Sequence, residues 1–190
     1  MDSSELITLP NPHLRSSSKK IGYIDDSLAE LVEKMQTVTI DWENSREHEV
    51  GVALAAIQID VAKRVVIIRN DFDNKLDTTF RVFINPVVTK YEGEIVEDYE
   101  GCLSVKDIYG KVPRHSKVRI KATDMNGKEV RLTAEGFLAR VFQHEIDHTN
   151  GIVFIDHIKD DEDAFYKLEE SGNLQQLDYD KDIRNSSILW

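Results

Sequence analysis

The chain has 190 residues, of which 41% are hydrophobic, so it is long enough to bury the core of one domain. Its formal net charge of −11 argues against a general basic surface for nucleic acid, and no apolar run approaches the roughly 20 residues of a membrane span. The single cysteine, Cys102, excludes an intramolecular disulfide and fits a reducing compartment.

The first half of the chain is predicted to begin with one helix. Ser27 and Glu30 form a capping-box pattern, and apolar residues then recur at helical spacing, which predicts a helix over 27–37. Residues 38–49 are polar and charged, and we expect a solvated surface loop there. The small residues of segment 51–58 would let the backbone approach a ligand or a neighbouring strand, although a tightly packed core segment fits this composition equally well.

Strands are predicted for the middle of the chain. Residues 64–69 and 81–84 have the composition of short buried strands, and residues 87–96 are predicted to form a hairpin around Gly93. Apolar and charged side chains alternate over 117–123, and an Asn-Gly turn and a second alternating stretch follow, which strongly indicates a hairpin. Together these patterns favour an antiparallel sheet with one solvated face.

The last third of the chain is predicted to be helical. Thr133 is a candidate N-cap for a helix that runs to His148 and ends at Asn150-Gly151. A further helix is predicted over 160–171, because four consecutive acidic residues favour a helix N-terminus. Residues 159–190 carry nine acidic and four basic side chains. We expect the tail after residue 172 to be loosely held.

The segment Gln-His-Glu-Ile-Asp-His at 143–148 predicts a metal site. His144 and His148 are four residues apart, which places both rings on one face of a helix, where they can bind the same ion. Glu145 follows the first histidine and can act as a general base on a water molecule at the metal. The apolar face of this helix must pack on the sheet, so the site is expected to be buried.

The third metal ligand has three candidates. A third histidine three residues after Gly151 is excluded, because Phe154 occupies that position. A downstream glutamate, Glu169 or Glu170, would give a two-histidine, one-glutamate site like that of a metalloprotease, although a solvated acidic helix face also explains these residues. Cys102 would supply a thiolate, which suits Fe²⁺, Co²⁺, Ni²⁺ or Zn²⁺.

Three segments together resemble the peptide deformylase family. They are Gly-Val-Ala-Leu-Ala-Ala-Ile-Gln at 51–58, Glu-Gly-Cys-Leu-Ser at 100–104 and Gln-His-Glu-Ile-Asp-His at 143–148, in the order of the family's motifs. The resemblance implies an α+β fold in which antiparallel β-sheets surround a central helix that carries the His-Glu-x-x-His motif. It implies a single catalytic domain over 1–190, whose core is 6–158 and whose end, 160–190, is a C-terminal helix and acidic tail.

The resemblance also implies an activity, the removal of the N-formyl group from the N-terminal formyl-methionine of newly made polypeptides by a metal-dependent hydrolase. The roles that it transfers are metal ligation by Cys102, His144 and His148, acid/base catalysis by Glu145, and oxyanion stabilisation by Gln58 and the backbone N–H of Leu103. A metal-bound hydroxide would attack the formyl carbon after Glu145 has taken its proton, and Glu145 would then protonate the leaving amine. One divalent ion is expected, Fe²⁺ in the cell, for which Zn²⁺, Ni²⁺ or Co²⁺ can substitute.

Seven further residues are predicted to bind the substrate. They are Gly51, Val52, Ala53, Glu100, Gly101, Phe137 and Val141. Val52, Phe137 and Val141 are the candidates for an apolar methionine pocket, although core packing explains each of them as well. The family usually has a glycine where this chain has Ala53, so the extra methyl group is expected to crowd the substrate backbone.

Two alternatives to an active deformylase stay open. The first is a metalloprotease that uses the same helix together with Glu169 or Glu170. The second is a protein of deformylase fold that has lost turnover, which the substitution at Ala53 suggests.

The expected partners follow from the resemblance. They are N-formylmethionyl nascent peptides, with at most a transient ribosome contact, since the acidic tail disfavours a basic docking segment. No direct binding to nucleic acid and no membrane association are expected. A cytoplasmic location of the bacterial type is expected, because the first twenty residues lack the apolar region of a secretory signal and the resemblance begins by about residue 6.

Overall fold

A seven-stranded antiparallel sheet organises the computed structural model, which describes residues 5–190. The strands are β1 (Ala53–Ala55), β2 (Val65–Arg69), β3 (Phe80–Cys102), β4 (Val105–Thr123), β5 (Glu129–Glu135), β6 (Phe165–Leu168) and β7 (Leu174–Gln176). Their order is β1-β2-β3-β4-β6-β7, and β5 pairs with β4 beside this path. The first four residues of the predicted domain lie outside the described residues.

Two α-helices accompany the sheet, α1 (Asp26–Asn44) and α2 (Gly136–Thr149). Short 3-10 helices cover Pro12–Arg15, Ala56–Ile59 and Phe154–His157, and a π-helical turn covers Tyr179–Ile183. Among residues 5–190, none of the helices has the length and hydropathy that a membrane crossing requires.

Helix α1 is longer than predicted. It continues to Asn44, so the surface loop predicted for 38–49 is wrong in its first half. Val38 and Trp42 are buried and extend the apolar stripe by a further turn, which the charged residues on either side of Trp42, Asp41 and Glu43, obscured in the sequence. The N-cap is Asp25, whose carboxylate accepts the N–H of Leu28 at 3.1 Å, so the capping box predicted at Ser27 does not form.

The end of α1 is tied to β2 by a buried ion pair. Glu43 Oε2 lies 2.6 Å from Nη2 of Arg69, and the Arg69 side chain is fully buried. The same carboxylate oxygen accepts the N–H of Gly51 at 2.8 Å, and the Gly51 carbonyl accepts from Arg69 Nε at 3.1 Å. A side chain at position 51 would meet the Thr39 methyl group, so only glycine lets the chain pass so close to α1. These contacts fix the start of the small-residue segment.

The central strands are longer and less interrupted than predicted. The β4–β5 hairpin is confirmed, with Lys117 opposite Glu135 and Thr123 opposite Glu129. The hairpin predicted around Gly93 is wrong, because β3 runs through this residue as one strand. Gly93 instead lies where the pairing with β4 shifts register, and its φ of 75° accommodates a bulge.

Helix α2 lies against β1, β4 and β5 and carries residues 143–148. Its N-cap is Glu135, whereas Thr133, the predicted N-cap, lies within β5. Phe142 packs edge-on against Phe83 of the sheet at 4.9 Å between ring centroids. The helix ends at the predicted place, followed by Gly151 with a φ of 77°.

The C-terminal region contains strands where a helix was predicted. Residues 165–168 and 174–176 form the β6–β7 hairpin, and β6 extends the sheet by pairing with β4. This pairing buries Phe165 completely, which outweighs the local preference of the acidic run for a helix. The loosely held tail is also wrong, since Ile183 and Leu189 are buried in a core cluster with Phe165.

The Glu43–Arg69 pair gives a stability prediction. Replacing Glu43 by Ala leaves a buried guanidinium without its counter-ion, so the free energy of unfolding should fall by about 3–5 kcal/mol in urea denaturation followed by circular dichroism. Glu33→Ala removes an exposed carboxylate from the same helix and should change it by less than about 0.5 kcal/mol. Equal losses in the two variants would contradict the importance of the pair.

Candidate metal centre

Three potential metal ligands meet where β3 ends beside α2. The ligand atoms of Cys102, His144 and His148 all lie within 4.8 Å of one another. Cys102 Sγ is 3.2 Å from His148 Nε2, and the two histidines occupy successive turns of α2. One sulfur and two imidazole nitrogens form a donor set that suits a divalent transition metal.

The histidine environments are consistent with metal ligation. His144 Nδ1 lies 2.9 Å from Glu100 Oε2, which leaves Nε2 available as a ligand. Burial lowers the pKa of His148 well below its usual value, and the positive charge of His144 lowers it further, so His148 is neutral as a ligand must be. Burial also lowers the pKa of His144, but hydrogen bonds to Cys102 and Glu100 outweigh this effect and raise the pKa above its usual value. His144 therefore carries a second ring proton, which a bound metal cation would displace.

The Glu100 carboxylate is the polar centre of the surrounding network. It accepts hydrogen bonds from Arg114 Nε at 2.9 Å and from Arg140 Nη1 at 2.8 Å, in addition to the contact with His144. Burial raises the pKa of Glu100, but the hydrogen bonds from His144 and Arg114 hold it well below its ordinary value. Arg114 also reaches Asp147 on α2 at 2.5 Å, so the network ties two strands to the helix.

Glu145 differs from Glu100 because it has no such partners. Its side chain is buried, and among residues 5–190 its Oε2 has no hydrogen-bond partner. Burial raises the pKa of Glu145 to about 7; the positive charge of His144 lowers this pKa, and the charges of Glu100 and Asp147 raise it again. A carboxyl group with this pKa can both take up and release a proton near neutral pH.

Gln58 and Leu103 lie next to Cys102. Gln58 Oε1 accepts the N–H of Ala55 at 2.9 Å, which orients the amide so that Nε2 lies 3.5 Å from Cys102 Sγ. Nε2 also donates to Ser104 Oγ at 3.2 Å. Leu103 follows Cys102 in the turn between β3 and β4. Both predicted oxyanion donors are therefore placed beside the candidate ligands.

A cavity of about 220 Å³ opens onto Glu145 and His144. Six of the seven residues predicted to bind substrate line it: Val52, Ala53, Glu100, Gly101, Phe137 and Val141. Gly51, the seventh, packs against α1 instead, and Glu100 uses its carboxylate to hold His144. The cavity also has polar and aromatic walls that the sequence did not predict, formed by Trp42, Glu49, Tyr99, Tyr109 and Arg140.

Glu169 and Glu170 are not part of this centre. Both follow β6 and are exposed in the turn of the β6–β7 hairpin, where they line a second cavity. In the described part of the chain, the group formed with the two histidines contains Cys102 and neither glutamate. This placement contradicts the metalloprotease alternative.

Sequence reasoning missed the arginines that hold Glu100. Arg140 precedes His144 by four residues and therefore lies on the same face of α2, where a charged residue interrupts the apolar stripe. That position was a usable signal, because a buried arginine requires an anionic partner. Arg114 is distant from the motifs in sequence and carries no comparable signal.

Comparison with known proteins agrees with this geometry. The family model described as "Polypeptide deformylase" matches residues 3–164. A peptide deformylase of Brachyspira hyodysenteriae is 36% identical over 97% of this chain and 90% of its own length, and peptide deformylase 1 of Pseudomonas syringae pv. tomato is 40% identical over 80% and 85%. A crystal structure of a Synechococcus elongatus peptide deformylase in complex with actinonin superposes with a TM-score of 0.70 at 34% identity, covering 80% of this chain and 76% of that one.

Metal content tests the ligand set. Cys102→Ala removes one of three candidate ligands, so the purified protein should fall from about one ion per chain to a small fraction of that when measured by plasma mass spectrometry. Glu169→Ala is the control and should retain the full content. The opposite pattern would contradict ligation by Cys102.

Proposed function

This chain belongs to the polypeptide deformylase family and removes the N-formyl group from newly made polypeptides, and we propose that Cys102, His144 and His148 hold the metal ion on which the family depends, with Glu145 as the acid/base. One observation carries the residue assignment. Cys102 and His144 line the same cavity as Glu145, whose buried Oε2 has no partner among the described residues, and His148 completes the ligand group behind them.

We propose a single divalent ion, Fe²⁺ in the cell, with Zn²⁺, Ni²⁺ or Co²⁺ able to replace it. Three protein ligands leave one position open, as is usual in catalytic sites. The bound ion supplies Lewis acidity, which makes water a stronger acid and the formyl carbonyl a better electrophile. The Glu100 carboxylate fixes the ring orientation of His144, and Arg114 and Arg140 fix that carboxylate.

Glu145 moves the proton in this proposal. It takes the proton of the attacking water and later gives it to the amine that leaves as the new N-terminus. A pKa near 7 suits both transfers, since the group is then neither a very weak acid nor a very weak base at neutral pH. Burial supplies this pKa and also keeps bulk water away from the carboxylate.

Gln58 and the Leu103 N–H stabilise the negative charge on the formyl oxygen during the attack. The Gln58 amide is held at its oxygen end by Ala55, so its donor end stays directed at the centre without reorganisation. Losing one donor of this kind typically lowers the rate by about 10²–10³-fold.

The apolar part of the cavity accommodates the methionine side chain. Val52 and Val141 are partly or fully buried, whereas Phe137 is 48% exposed and packs against Phe72, so it forms the outer edge of the pocket. A formyl carbon carries only hydrogen, and a cavity of about 220 Å³ can select it over larger acyl groups by size.

We also propose that residues 1–190 act as one catalytic domain in a cytoplasm where chains start with formyl-methionine. The β6–β7 hairpin and the packed tail complete the sheet and core, which gives the C-terminal region a structural role. Its acidic character makes it a poor candidate for stable ribosome docking, so any such contact is transient.

The acid/base assignment predicts the effect of Glu145→Gln. The three ligands are untouched, so the metal content and the circular dichroism spectrum should stay unchanged. The value of kcat for formate release from a formyl-methionyl peptide should fall by about 10²–10⁴-fold in anaerobically prepared, iron-loaded enzyme. Activity close to that of the wild type, with the metal bound, would show that another group moves the proton.

Ala53 gives a prediction about substrate binding. Its methyl group lies at the cavity wall, so Ala53→Gly should lower KM for formyl-methionyl peptides by about two- to fivefold, with a smaller change in kcat, because a clash with the bound substrate is relieved.

Ala55→Gly is the matched control. It makes the same change in the same strand, but Ala55 is fully buried and does not line the cavity. It should loosen β1 without lowering KM. An unchanged or raised KM in Ala53→Gly would show that the strand already accommodates the methyl group.

A further inference from the structure

One wall of the cavity contains a carboxylate that the deformylation chemistry does not use. Helix α1 contributes Trp42 to this wall, the segment after it contributes Glu49, Val50 and Val52, and Glu49 is the acidic residue among them. Its side chain is only 10% exposed. Glu145, with its unpartnered oxygen, lines the same cavity, so Glu49 and the proposed acid/base border one space.

The charge of Glu49 is held in place but only partly neutralised. Tyr109 donates its hydroxyl proton to Glu49 Oε2 at 2.7 Å, and Arg46 Nη1 reaches Glu49 Oε1 at 3.3 Å. Arg46 is closer to Asp107, at 2.6 Å, so one guanidinium serves two carboxylates and the group keeps a net negative charge. Burial raises the pKa of Tyr109 above its usual value, and the hydrogen bond to Glu49 raises it further, so the phenol remains a donor.

Glu49 also lines a second, larger cavity. That cavity has a volume of about 1040 Å³ and lies between the segment after α1 and the β6–β7 hairpin. Five of its lining residues are acidic, Glu47, Glu49, Asp107, Glu169 and Glu170, against two basic ones, Arg46 and Lys167.

The two sides of this second cavity are tied together. His48 Nε2 lies 3.2 Å from the Glu170 carbonyl oxygen, and the His48 ring packs against Gly172, whose φ of 82° makes the turn of the hairpin possible. The walls of the acidic cavity are therefore fixed to each other, and Glu49 lines both this cavity and the one that contains Glu145.

We propose that Glu49 is a specificity-determining residue that favours formyl-methionyl peptides with a lysine or arginine shortly after the methionine. This inference rests on the proposed function, because a deformylase holds the N-terminus of a polypeptide and the following residues must leave through the open side of the cavity. A substrate that passes Glu49 enters a negatively charged space, where a cationic side chain is attracted and an acidic one is repelled.

Glu49 touches none of the reacting atoms in this proposal, so it acts on binding. The preference should appear in KM and leave kcat nearly unchanged. It should also weaken as salt is added, because the partly exposed carboxylates of the second cavity are screened.

The test compares three formyl-methionyl peptides that differ at one position, which carries lysine, norleucine or glutamate. The position is moved from the second to the third and fourth residue, and kcat and KM are measured for metal-loaded wild type, Glu49→Gln and Glu33→Gln. Glu49→Gln keeps a side chain that can accept from Tyr109 and removes the charge. Glu33→Gln makes the same change on the exposed face of α1, outside both cavities.

We expect wild type to prefer lysine over glutamate by about fivefold or more in kcat/KM at one of these positions, and Glu49→Gln to lose most of that preference. Glu33→Gln should keep it. In wild type, raising NaCl from about 0.05 M to about 0.5 M should reduce the preference, which gives a readout even if Glu49→Gln folds poorly.

Three results would overturn the inference: no charge preference at any position in wild type, an unchanged preference in folded Glu49→Gln, or an equal loss in Glu33→Gln. Failure of the proposed function is distinguishable, because the norleucine peptides would then not be deformylated at all. Turnover of those peptides without a charge preference would remove only the role of Glu49.

Discussion

The buried carboxylate of Glu100 is the interaction on which the candidate site depends. A buried carboxylate is costly unless it is paired and hydrogen-bonded, and here Arg114, Arg140 and His144 supply the partners. These partners come from β4 and α2, whereas Glu100 itself lies on β3. Satisfying one charge therefore fixes the position of the helix relative to the two long strands. The adjacent Cys102 is carried to the histidines by the same strand, so the donor set is assembled by the network that neutralises Glu100.

The sheet around this network explains why its position is stable. Strands β3 and β4 are paired along most of their length. On its other edge, β4 pairs with β6 through residues 108–110 and with β5 through residues 117–123. Helix α2 packs on this surface through its apolar stripe, so a shift of the helix would expose residues such as Phe142 and break the arginine contacts together. The ion pair of Glu43 with Arg69 fixes the part of the cavity wall that residues 49–53 contribute, because it positions the segment that leads into β1.

The sequence predicted the elements whose pattern is local and missed those set by distant partners. His144, Glu145 and His148 are linked by helical spacing, and the β4–β5 hairpin by alternation around an Asn-Gly turn, so both could be predicted. The C-terminal hairpin could not, because residues 165–168 become a strand by pairing with β4, more than fifty residues away in sequence. The second half of α1 was hidden by its own charges, since Glu43 looks like a surface residue until Arg69 is placed beside it. The structural role of Glu100 was hidden for the same reason, because its partner Arg114 lies on the next strand.

Three glutamates near the cavity show where function is encoded in this fold. Glu43 and Glu100 are buried and each is matched by arginine, which is what stability requires of a buried charge. Glu145 is equally buried and lies one residue from a candidate ligand, but its Oε2 has no hydrogen-bond partner among the described side chains. A fold optimised only for stability would have replaced or paired this group. Its pKa near 7 is the direct consequence of leaving it unpaired, and it is the property that an acid/base in hydrolysis needs. Glu145 thus stands out among these three glutamates because it lacks an arginine partner, and this observation points to it as the proposed catalytic group independently of the His-Glu-x-x-His motif.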